Sequence, residues 1–156
     1  MNDKEKLIYE FFKEFMCFES ALSKEYAKTD KNGSIIGINW EKVSPNISIS
    51  SGISCYLQDA QRYYLKNPPK KRFLKDGLIE WCDVPVEGSN VCQLLIYLAR
   101  VRNNLFHGSK CEFMEKSKWQ RSKDLLQHVL CLIKYFGIQE PLRSNFCAAS
   151  EMLLNY

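Results

Sequence analysis

The 156-residue, 18.3 kDa chain carries 46% hydrophobic and 26% charged residues, a balance that excludes disordered, collagen-like and low-complexity classes. Its 22 Lys and Arg against 18 Asp and Glu leave a net charge of +4, which permits an anionic partner without requiring one. The longest run free of charged or strongly polar residues, Leu94 to Ala99, is far too short to span a bilayer. The opening Met-Asn-Asp-Lys-Glu-Lys has no apolar leader core, so one cytoplasmic domain over residues 1–156 is expected, without a membrane partner.

Leu7, Ile8, Phe11, Phe12, Phe15, Phe18 and Leu22 recur three and four apart, which predicts a first helix from about Asp3 to Ala27 that stops before Lys31-Asn32-Gly33. Ile35, Ile36, Ile38 and Trp40 read as a short strand or a packed loop, and Pro45 interrupts any long element. A second helix fits from about Ile53 to Lys66 and ends before Asn67-Pro68-Pro69. Lys70 to Ser89 reads as irregular, pinned to the core by Phe73, Leu74, Leu78, Ile79 and Trp81. A third helix starts after Ser89-Asn90 and ends at Gly108. A fourth runs from about Lys118 to Phe136 and closes on Gly137, and a short last helix holds Met152, Leu153 and Leu154. The expected fold is therefore all-α: a four- to five-helix bundle with an irregular or short β segment between its first two helices.

Seven cysteines (17, 55, 82, 92, 111, 131 and 147) are scattered without a CxxC pair, so neither a disulfide framework nor a zinc site is expected. No metal and no cofactor is expected. Between Gln61 and Lys75 stand six cations and no acid: Arg62, Lys66, Lys70, Lys71, Arg72 and Lys75, with Tyr63, Tyr64 and Phe73 among them. Such a run suits phosphates, with aromatic rings free to stack unpaired bases, and equally suits a solvated basic loop.

One cation breaks an apolar stripe. Val91, Leu94, Leu95, Leu98 and Leu105 mark the inward face of the third helix, and Arg102 falls four after Leu98 and three before Leu105. A guanidinium turned toward a bundle needs an anion or acceptors. Glu19 is an available mate, since it too interrupts a stripe, four after Phe15 and three before Leu22. A structural ion pair satisfies both.

The segment Arg102-Asn103-Asn104-Leu105-Phe106-His107-Gly108 resembles the Arg-x4–6-His motif of the HEPN superfamily, many of whose members are metal-independent ribonucleases. Asn103 matches the polar residue that follows the arginine, and the first helix, with Glu19-Ser20-Ala21-Leu22, looks like the opening helix of several bacterial HEPN families. Arg100 with His107, and Arg121 with His128, also fit the long spacing. The second of these lies on a surface helix and lacks the amide, whereas Arg100 falls on the opposite face of its helix from Arg102.

The resemblance implies a HEPN-type bundle that cleaves RNA through its own 2′-hydroxyl, leaving a 2′,3′-cyclic phosphate and a 5′-hydroxyl. Arg102, His107 and Asn103 would be its catalytic residues, with Glu19, Arg100 and Asn104 in support. It also implies a homodimer that pairs two motifs at one cleft, a toxin or anti-phage role, and an antitoxin or regulatory protein as a further partner. Gly108 and Ser109 stand where some HEPN toxins carry a His-x-Tyr tyrosine, so silencing by nucleotidylation there is not expected. Two other readings remain: a HEPN module that binds nucleotide, RNA or a partner without catalysis, and a helical interaction protein in which the motif is coincidence.

Overall fold

The computed structural model describes residues 1–50, 54–106, 116–140 and 142–154. Helix α1 (Asp3–Tyr26) starts on a capping box, in which the Asn2 side chain accepts from the Glu5 amide and Glu5 accepts from the Asn2 amide, each at 2.9 Å. Its buried face carries Phe11, Phe15, Phe18 and Leu22 at helical spacing. Burying side chains of this size stabilises the fold by about 1.5–3 kcal/mol each.

After α1 the chain forms a hairpin of β1 (Ala27–Thr29) and β2 (Ile35–Ile38), so the ambiguous isoleucine segment is a strand. Asp30 accepts from the amides of Asn32 and Ser34 at 2.8 and 2.9 Å, and Gly33 supplies the positive φ that closes the turn. Trp40 begins the single turn α2 (Trp40–Val43). Helix α3 (Cys55–Lys66) is capped by Ser54 and ends before the two prolines.

The largest departure from expectation is the segment read as irregular. It is an antiparallel ribbon of β3 (Lys71–Lys75) and β4 (Leu78–Cys82), joined by Asp76-Gly77 with both φ values positive, as a two-residue reverse turn requires. Phe73, Leu74, Leu78 and Ile79 do not pin it to the core; all four are exposed, Leu74 by 78%.

Helix α4 (Asn90–Phe106) follows with Ser89 as cap, then α5 (Lys116–Gly137) and α6 (Arg143–Leu154). The chain is thus mostly helical but not all-α, because two small antiparallel sheets accompany the helices. Helix α1 packs on α5 and α6, and α5 packs in turn on α3 and α4 around one core. The buried Tyr64 hydroxyl donates to the Leu125 carbonyl at 2.7 Å, and burial pushes its pKa well up. A Cβ on Gly137 would lie 2.7 Å from the Phe146 ring, so the glycine makes room for that ring at the end of α5. No helix among the described residues is long and apolar enough to cross a membrane.

Candidate functional site

Helix α4 presents polar side chains on two fronts. Val101, almost fully buried, takes the inward position, and Arg102 beside it stands at the bundle's edge with its side chain 32% exposed. Its Nη2 faces the Glu19 carboxylate of α1 at 3.5 Å, and its Nη1 donates to the Asn103 side-chain oxygen at 2.9 Å. The guanidinium carbon lies 5.0 Å from the Phe106 ring centroid and 6.0 Å from that of Phe15. Arg102, Asn103 and Glu19 therefore form one cluster, supported on aromatic faces that favour a delocalised cation.

Arg100 and Asn104, four residues apart on α4, serve the ribbon instead. Arg100 Nη1 donates to the carbonyls of Val84 at 2.7 Å and Pro69 at 3.5 Å, and Asn104 Nδ2 donates to that of Lys70 at 2.9 Å. Burial lowers the pKa of Arg100 from its usual value. An isolated two-stranded ribbon is marginal in water, so these clamps on its two roots hold it to the helix. His107 lies outside the described residues.

The six cations of the basic run are spread over two elements. Arg62 and Lys66 sit on α3, where Arg62 pairs with Asp59 at 3.4 Å. Lys70 faces Asp83 at 3.8 Å at the ribbon's root, and Lys75 faces Glu80 at 3.9 Å near its tip. Lys71 lies over the Phe73 ring and Arg72 over that of Trp81. Tyr64 is a core residue, so it offers no surface for base stacking, and Tyr63 packs on His128 with ring centroids 4.5 Å apart. His128 is a half-exposed spacer whose buried Nδ1 has no hydrogen-bond partner among the described residues.

A groove of about 530 Å³ opens beside the Arg102 cluster. Met16, Glu19, Ser20 and Ser23 of α1 line it with residues 35–38 of β2, and Arg102 completes the lining. Sequence reasoning missed this wall. The available signal was Ile35-Ile36, two adjacent apolar residues in a strand, one of which must face away from the core. Both are exposed.

Among the described residues no group of three or more His, Cys, Asp or Glu side chains is placed to hold a metal ion. Compared with protein-family models, curated proteins and solved structures, the chain matches none.

Proposed function

We propose that the chain is a HEPN-type endoribonuclease that cleaves RNA without a metal, acting in the cytoplasm as a toxin or anti-phage effector. The observation that carries this reading is the placement of Arg102: a guanidinium followed by an amide, at the edge of the bundle and on the wall of an open groove.

Arg102 binds the scissile phosphate, where its parallel N–H donors match phosphate oxygens and its fixed charge stabilises the phosphorane. A base takes the 2′-hydroxyl proton, the 2′-oxygen attacks phosphorus, the bond to the 5′-oxygen breaks, and an acid protonates that leaving oxygen. His107 is suited to either proton transfer, since an ordinary imidazole titrates near 6.5. The two transfers need two such groups, which a homodimer supplies as His107 and its symmetry mate. Asn103 holds the guanidinium in place.

The test is incubation of total RNA with purified protein in EDTA, beside Arg102→Ala and His107→Ala. Cyclic-phosphate ends from the wild type alone are expected, with a dimer by light scattering at micromolar concentration. Intact RNA in all three samples overturns the proposal. It would leave the second reading, a non-catalytic module, which the bond between Arg102 and Asn103 and the pairing with Glu19 also suit.

A further inference from the structure

Three features of the groove beside Arg102 suit an occupant with an apolar surface, an anionic group and a hydroxyl. Met16, Ile35 and Ile36 give it exposed apolar lips, whereas Ser20 is short and leaves room between them. A Cβ on Gly37 would meet no atom within 4 Å, so nothing fills the space over that part of the wall. The charged end holds both a cation and a carboxylate, 3.5 Å apart. At about 530 Å³ the space lies inside the range of about 300–1,000 Å³ typical of small-molecule sites, and its open lining mixes apolar and polar side chains.

A nucleotide has these parts in this order: a base with flat faces that pack on apolar side chains, a ribose hydroxyl that donates, and a phosphate. We infer that the groove between α1 and β2 is a nucleoside subsite, seating the unpaired base and ribose on the 5′ side of the phosphate held by Arg102. The inference rests on the nuclease reading for its phosphate and adds the residue that must precede it. The direction follows from Glu19. A carboxylate beside the phosphate-binding cation accepts a hydrogen bond from a hydroxyl, and the hydroxyl neighbouring a scissile phosphate is the 2′-hydroxyl of the nucleoside on its 5′ side. This contact belongs to the bound ground state, and the hydroxyl turns its one proton to the imidazole base before it attacks. Arg102 can serve both neighbours, because a guanidinium has five N–H donors and the contacts to Glu19 and Asn103 engage two of them.

Binding of adenosine and uridine 3′-monophosphates, their 2′-deoxy forms and inorganic phosphate would be measured by NMR titration on the full chain. At least one ribonucleotide should bind ten times more tightly than phosphate and more tightly than its deoxy form, with shifts at Met16, Ser20 and Ile36. Ser20→Leu fills the groove from an exposed helical position, and Ile36→Ser strips its far lip. Each should erase the preference over phosphate at an unchanged melting temperature. Nucleotides that bind no better than phosphate, or a preference that survives both substitutions, overturn the subsite. Wild-type protein that binds the nucleotide there but cuts no RNA removes the nuclease reading and leaves the subsite. Protein that cuts RNA at full rate as Ser20→Leu removes the subsite and leaves the nuclease.

Discussion

Glu19 on α1 and Arg102 on α4, 83 residues apart in sequence, approach to 3.5 Å with about a third of each side chain exposed. That separation is long for a charge-assisted hydrogen bond, which closes to about 2.7–2.9 Å. Such a half-solvated pair contributes about 1 kcal/mol or less to stability. It is loose enough for an incoming phosphate to compete for the cation.

Glu19→Gln should therefore leave the unfolding free energy within about 1 kcal/mol of wild type while strengthening phosphate binding several-fold. The amide keeps an acceptor near Arg102 but withdraws the negative charge that repels the ligand. Urea unfolding and phosphate titration check the two halves. A large loss of stability would mark the pair as a structural fastener.

Arg100→Ala removes the clamp on Val84 and Pro69 and leaves a partly buried carbonyl without its donor. The cost should be about 1–3 kcal/mol. Hydrogen exchange should show protection falling first across residues 71–82. Arg100→Lys should rescue part of that loss, since both carbonyls are reached from the single Nη1 and an ammonium nitrogen also has more than one donor to offer.

The ribbon's cations should govern RNA affinity rather than chemistry. Replacing Lys71, Arg72 and Lys75 together by alanine should flatten the dependence of log affinity on log salt by up to about 2, at about 0.7 per phosphate contact on a single strand. Fluorescence anisotropy at several salt concentrations measures it. Cleavage at saturating RNA should persist, because Arg102 is untouched. An unchanged slope would make the ribbon a bystander.

His128 sets an expectation for pH. Desolvation lowers its pKa below the usual 6.5, and Asp124 and Asp59 only partly offset this. Between the lowered folded value and 6.5 the unfolded chain binds more protons, so stability rises with pH through that window. The contribution is complete above about 6.5 and is lost as pH falls through the folded value. His128→Phe keeps a ring against Tyr63 and should flatten that part of the profile, read as melting temperature from pH 4.5 to 7.5.

The long helices were legible because each buries one stripe. Leu7, Ile8, Phe11, Phe12, Phe15, Phe18 and Leu22 spell most of α1. The ribbon was not, although Asp76-Gly77 spells its turn. Strand reading relies on alternation between a buried and a solvated face. Here Leu74 and Ile79 pair on one face and Lys75 pairs with Leu78 on the other, with apolar residues exposed on both, so no alternation survives. At the site, Glu19 and Arg102 could be matched because each breaks an apolar stripe. Arg100 and Asn104 could not be placed, because their partners are main-chain carbonyls, which every residue possesses. Val101 was overlooked in the stripe, which is why Arg102 was expected to point further inward than it does.

The packing of α1 bears on how the protein is made. This helix leaves the ribosome first among those described, yet the helices that cover it, α5 and α6, emerge last. Until they do, the part of its apolar face that packs on α5 and α6 has no mate, a state that invites chaperone capture, although Phe18 can already stack on Trp40. For a chain read as an RNA-cutting effector the delay is protective, because the scaffold that frames Arg102 is not assembled until α5 and α6 have followed α4.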